Sequence, residues 1–252
     1  MKSPFPVAVA LLAFSPALKA HAENAQTLIA RGDLCDKHLQ THAALDAYLA
    51  AAKLTSPDAE LLRRIAKEYG ELMADTDSVE QKRALGMKAL DYAMRSVSAD
   101  PRDPLSELSM AVCYGRLAPL QDNETKIAYS RMVKLYAEKA LALDPNNDLT
   151  YNVLGSWNLA LASLNPFLRG LAGMIYGTLP DASYQDSVKD FQKAIQLNPN
   201  RLANYIGLGR AYAGMGKTAE ARAEIERGLA MPSQEKDDPY VKAQGRETLG
   251  GL

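Results

Sequence analysis

Thiol and imidazole are both scarce in this chain, which has two cysteines and three histidines in 252 residues. Two thiols cannot staple a disulfide-dense scaffold, and Cys35 and Cys113 lie far apart, so both are expected as free, buried thiols. No histidine follows His42. A serine or cysteine triad therefore has few options, and neither a Gly-x-Ser-x-Gly elbow nor a zinc-protease helix is present. A surplus of charge of one sign is missing as well: 29 basic residues face 30 acidic ones, a formal charge of −1. Nothing drives the chain as a whole toward nucleic acid or an anionic membrane. Without clustered His and Cys or paired carboxylates, the expectation is a non-catalytic protein with no cofactor and no metal.

The content that is present is ordinary for a folded body, with 47% hydrophobic and 23% charged residues. Met1-Lys2, the apolar run from Val7 to Leu18 and the small residues Ala20-His21-Ala22 predict a cleaved secretory signal over 1–22. The run is too short to span a membrane, and Pro6 and Pro16 disfavour it further. Cleavage removes Lys2 and Lys19, leaving 27 basic residues against 30 acidic ones. The mature chain is thus expected outside the cytoplasm, periplasmic or secreted.

One pattern organises the rest. Val133-Lys-Leu-Tyr-Ala-Glu-Lys-Ala140-Leu-Ala-Leu-Asp-Pro145 has apolar residues at helical spacing and a proline stop, and Val188-Lys-Asp-Phe191-Gln-Lys-Ala194-Ile-Gln-Leu-Asn-Pro199 repeats it in register. Small residues at fixed points suit close helix crossings, and the pair reads as the second helix of a tetratricopeptide repeat. The closing prolines Pro57, Pro101, Pro145, Pro199 and Pro232 are 44, 44, 54 and 33 residues apart, against a period of about 34. The predicted units are 25–57, 58–101, 102–145, 146–199 and 200–233, with a cap at 234–252. Tyr205, Leu208, Gly209, Tyr212, Gly216, Ala221 and Ile225 carry the pattern best in the last unit; Tyr151, Leu154, Gly155, Phe191, Ala194 and Pro199 carry it in the fourth. The fold class expected is all-α: a superhelix of about five helical hairpins with an inserted helix and a C-terminal capping helix.

The insertion runs between Leu159 and Tyr184. It is apolar enough to suggest a membrane span, but Asn165, Pro166 and Arg169 interrupt it. It predicts a turn at Asn165-Pro166 and an extra helix over Phe167–Tyr176, with Leu168, Leu171, Met174 and Ile175 on one face docked against the repeats. Gly173 and Gly177 would permit close packing. Docked so, the helix would narrow the groove near Asn152 and Ser156.

From about Glu60 to Leu249 the chain resembles the family of regulators of microtubule dynamics. The residues that carry the resemblance are Leu62-Arg-Arg-Ile-Ala-Lys-Glu-Tyr69, Leu154-Gly155, Asn165-Pro166-Phe167-Leu-Arg169, Ile175-Tyr-Gly-Thr-Leu-Pro180, Tyr184 and Leu208-Gly209-Arg-Ala-Tyr212. The resemblance implies a tetratricopeptide-like, non-catalytic adaptor, associated in animal members with microtubules, spindle poles or mitochondria. A secretory signal departs from that setting.

Two local patterns imitate chemistry. Ala211-Tyr-Ala-Gly-Met-Gly216-Lys217-Thr218 satisfies a relaxed phosphate-loop pattern, but such a loop needs a strand before it, and here the period is helical. Cys35, His38 and His42 could supply three zinc ligands, but the inter-helix turn near 38–40 should break their common face. What remains is a surface. The first helices of the hairpins should line a concave groove that takes a protein or peptide, with Arg64, Glu68, Arg116, Asn152, Ser156 and Arg210 pointing into it. The Lys and Asn set that grips a terminal carboxylate in some such proteins is not present.

Overall fold

A computed structural model describes residues 24–177 and 181–252. The predicted leader at 1–22 and the segment 178–180 lie outside the described residues. Those described form twelve α-helices and no strand. The helices are α1 (Ala25–Lys37), α2 (Thr41–Leu54), α3 (Ala59–Leu72), α4 (Val79–Ala99), α5 (Pro104–Leu117), α6 (Asn123–Leu143), α7 (Asp148–Ala162), α8 (Pro166–Tyr176), α9 (Tyr184–Leu197), α10 (Leu202–Gly214), α11 (Thr218–Ala230) and α12 (Asp238–Gly250). Single 3₁₀ turns, Met73–Asp75 and Ala118–Leu120, follow α3 and α5.

Local chemistry sets the helix ends. Asn24, Asp58, Asp103, Asn147 and Ser183 each accept a backbone N–H of the first turn; Asp58 Oδ1 does so from Leu61 at 2.8 Å and Asn147 Oδ1 from Thr150 at 3.0 Å. At the other end, Asp100, Asp144 and Asn198 each precede a proline and share one extended geometry, with φ near −140° and ψ near +95°. The proline ring forbids the helical conformation to the residue before it, so three helices stop in the same way. The prolines also accept: Tyr151 OH donates to the Pro145 carbonyl at 3.2 Å and Tyr205 OH to the Pro199 carbonyl at 2.9 Å, the same six-residue step in consecutive hairpins.

Packing makes the hairpins: α1 with α2, α3 with α4, α5 with α6, α7 with α9, and α10 with α11. Two columns of the second helices carry the contact. Tyr48, Ala93, Ala137, Phe191 and Ile225 are buried in one; Ala51, Ser96, Ala140, Ala194 and Gly228 are buried in the other, one turn on. The second hairpin, faint in sequence, is therefore in register, with Ser96 in the small column donating to the Ala59 carbonyl at 2.7 Å. Leu154, Gly155, Leu208, Gly209 and Ala221 are buried as well. Close approach demands glycine at two of these crossings. A Cβ on Gly207 would lie 2.3 Å from Phe191 Cζ, and one on Gly209 would lie 2.8 Å from the Ala221 carbonyl oxygen.

The insertion forms a helix as predicted, but of the face expected to dock, Met174 and Ile175 are exposed instead, and the side chains of Leu168 and Leu171 lie outside the described residues. Met174 is 86% exposed, Ile175 60% and Phe167 76%, and a Cβ at Gly170 or Gly173 would meet nothing within 4 Å. Gly173 is thus not a packing glycine. An apolar stripe shows which face could be buried and not what covers it. No helix among the described residues is long and apolar enough to cross a membrane.

Candidate functional site: the inner face of the superhelix

First helices touch across hairpins, α3 with α5, α5 with α7 and α7 with α10, whereas the second helices mainly contact first helices. An array joined more closely on one side curves toward it, so the first helices line the inner face. α12 packs on α10 and α11, where the first helix of a sixth hairpin would lie.

The six side chains expected to face the groove have different fates. Asn152, Ser156 and Arg210 line one cavity of about 420 Å³, whose other described walls include Tyr184, Gln244 and Thr248. Asn152 Nδ2 donates to Asn204 Oδ1 at 2.7 Å, Arg210 Nη1 donates to Gln244 Oε1 at 2.9 Å, and Ser156 is exposed. Burial lowers the Arg210 guanidinium from its ordinary range. The cavity is narrowed by α12, through Val241, Gln244 and Thr248, and no described residue of α8, expected to narrow it, lines it.

The other three, Arg64, Glu68 and Arg116, are held in ion pairs by the chain itself. Arg64 pairs with Glu60 at 2.8 Å and Asp33 at 3.3 Å and lies over the Tyr48 ring. Glu68, expected in the open groove, is 0% exposed instead, with Asp36 at the end of α1 against it. Its neighbours are Asp36 and Glu71, with the Lys67 ammonium seated among all three, 2.8 Å from Glu71 and 3.5 Å from Glu68. Burial pushes the Glu68 carboxyl up to about 7 against the pull of Lys67. On Lys67, burial works the other way, but Glu71 and Asp36 outweigh it and hold the ammonium above its ordinary range.

Arg116 on α5 donates from Nη1 to the Gly70 carbonyl at 3.2 Å and through both Nη atoms to the Asp237 carboxylate. Asp237 belongs to the link between α11 and α12, so this link crosses the inner face. Lys236 Nζ lies 2.8 Å from Asp75 Oδ1, after α3, and Glu235 pairs with Arg201, which also holds Asp148 at 2.8 Å. Sequence reasoning missed this strap. Its only signal was the charged run Glu235-Lys-Asp-Asp238 between two prolines.

The two imitations of chemistry resolve structurally. Gly216 is the turn between α10 and α11, at φ +73°, preceded by a helix and not a strand, and Lys217 Nζ rests over the Tyr212 ring. His38 caps α1, His42 stands 80% exposed on α2 near Asp75, and Cys35 packs in the first core cluster. Among the described residues, the three are not a group with ligand atoms within reach of one another; Asp36, Glu68 and Glu71 are. Cys35 and Cys113 are free thiols, and burial pushes that of Cys113 up to about 12.

Helical hairpins stacked with their first helices inward define a tetratricopeptide-type solenoid. A thermophilic tetratricopeptide protein of Thermus thermophilus has the same fold, with a TM-score of 0.62 at 18% identity over 89% of this chain and 98% of that one. The family described as regulator of microtubule dynamics protein 1-3 matches residues 23–252, and the chain belongs to it. It is 25% identical to regulator of microtubule dynamics protein 1 of Mus musculus over 199 residues, and 26% identical to that of Bos taurus. These matches cover 78% of this chain but 65% and 63% of the relatives, just under two thirds of their length.

Proposed function

We propose that this chain is a non-catalytic scaffold that takes a segment of another protein into its inner groove, in the periplasm or outside the cell. The cavity at Asn152, Ser156 and Arg210 carries the reading. It offers a hydroxyl, an amide and a guanidinium on one inner wall, where an extended peptide finds donors and acceptors for its own backbone. The acidic side chains elsewhere support a structural role: Asp36 and Glu71 are held by Lys67, and Asp148 by Arg201. A second reading, a cytoskeletal adaptor, follows from the names of the relatives and requires a chain that stays in the cytoplasm.

Photo-crosslinking from benzoylphenylalanine at Ser156, compared with the same group at the exposed Glu138 on α6, tests the groove. Discrete products from position 156 alone are expected, and identical patterns from both sites would remove the reading. N-terminal sequencing of the native protein separates the compartments, with Glu23 expected as the first residue and an intact Met1 favouring the adaptor.

A further inference from the structure

The strap between α11 and α12 is a shaped element. Asp238, 3% exposed, accepts the backbone N–H of Gln234 at 2.7 Å and of Glu235 at 2.8 Å on one carboxylate oxygen, which folds the segment into a turn. Lys242 Nζ ties its start by donating to the Met231 carbonyl at 2.6 Å. Three consecutive side chains then leave the turn toward the inner face, and each meets its opposite charge on a different hairpin: Glu235 on Arg201, Lys236 on Asp75, Asp237 on Arg116.

We propose that the inner face recognises an acidic-basic-acidic peptide segment of a partner protein through Arg201, Asp75 and Arg116, and that Glu235-Lys236-Asp237 is the resident occupant which the partner displaces. The inference rests on the peptide-groove reading above and names the chemistry of its ligand. The sign pattern carries it, because three matched charges in a row specify register as well as attraction, and a guanidinium accepts a carboxylate through two parallel bonds. Exchange, and not simple opening, is the physical route. Arg116 is mostly buried, at 27% side-chain exposure, and its guanidinium would be desolvated and without a carboxylate if Asp237 simply left, whereas Arg201, at 16%, would keep Asp148. Their acidic partners are on the wet side, Asp237 at 38% and Glu235 at 46%, where an ion pair contributes little and an incoming acid can reach it. The resident acts at an effective concentration on the order of millimolar, so a free peptide meets a competitor already in place.

The test is fluorescence anisotropy of a labelled peptide, Met-Pro-Ser-Gln-Glu-Lys-Asp-Asp-Pro-Tyr, titrated with full-chain protein. Asp237→Asn keeps the shape of the strap and weakens its hold on Arg116, so this variant should bind the peptide at least tenfold more tightly than the unaltered protein. A peptide with its acids replaced by amides should bind at least tenfold less tightly, and adding Arg116→Gln to Asp237→Asn should abolish binding. Glu235→Gln, changed at the more exposed end, gives the same comparison should Asp237→Asn not fold. Equal affinity of the unaltered protein and the release variants, or equal affinity for acidic and amide peptides, overturns the proposal. The crosslink from position 156 uses neither peptide nor strap variant, so its success alongside failure here would leave the groove standing without an acidic ligand.

Discussion

Replacing Gly209 with alanine should destabilise the fifth hairpin, although the same change improves most helices. A Cβ at 209 would lie 2.5 Å from Ile225 Cγ1, 2.8 Å from the Ala221 carbonyl oxygen and 3.0 Å from the Ile225 amide nitrogen. The isoleucine side chain can turn, but the other two atoms are α11 backbone, so α10 and α11 must move apart. Overpacking of this kind costs about 1–3 kcal/mol, against a gain of about 1 kcal/mol from alanine's helix propensity. The net loss should be up to about 2 kcal/mol, and Gly209→Trp should leave no folded fifth hairpin. Gly170→Ala is the internal control: it is mid-helix in α8, a Cβ there meets nothing within 4 Å, and it should gain about 0.5–1 kcal/mol. Urea unfolding followed by circular dichroism, with hydrogen exchange read over 202–230, measures both. If Gly209→Ala gained stability as Gly170→Ala does, the close crossing of α10 and α11 would be wrong.

Three other outcomes follow from the same geometry. Gly216→Ala should cost about 1–2 kcal/mol by backbone strain alone, since φ is +73° and the space is open, whereas Lys217→Ala should leave stability near the parent value; saturable ATP binding lost with Lys217 would restore the phosphate loop. Asp103→Ala should cost about 1–2 kcal/mol, because Asp103 accepts from the Leu105 and Ser106 amides at 3.1 Å and from the Ser106 hydroxyl at 2.6 Å; thermal melts of Asp103→Ala and Asp103→Asn check it, with the asparagine largely restoring stability. Stability should fall as pH rises from about 4.5 toward 7, since folded Glu68 keeps a proton that the unfolded chain has already released, and Asp190, pushed up to about 6 by burial, adds the same sign. The drop due to Glu68 is at most about 3 kcal/mol, and a slope undiminished in Glu68→Gln would assign it elsewhere.

The fold was readable because its punctuation is local. A proline after Asp144 or Asn198, an Asx or serine before a helix and a small residue at 140 or 194 act within one turn of themselves, and no distant partner changes them. Asn152, Ser156 and Arg210 were reachable by register for the same reason. Glu68 shares that register, but its burial depends on how the end of α1 lies across α3, which the periodicity of α3 does not record. α8 shows the converse, since its apolar pattern specified a helix correctly but not the exposure of Met174 and Ile175. The strap was out of reach because Asp237 meets Arg116 only through the accumulated curvature of the intervening hairpins.

That curvature alters how the molecule is connected. A solenoid whose hairpins touch only their neighbours is an open chain of links, each of which unfolds with little effect beyond the next. Here the joint between the third and fourth hairpins holds a small buried cluster, Ala111, Ala137 and Leu154, and the Trp157 indole N–H, which donates to the Ser130 carbonyl at 2.8 Å. The contact between Arg116 and Asp237, 121 residues apart, bypasses it. The series of links becomes a closed circuit, in which strain applied at the C-terminal helix reaches hairpins two and three directly, and the joint between three and four cannot open without breaking the strap.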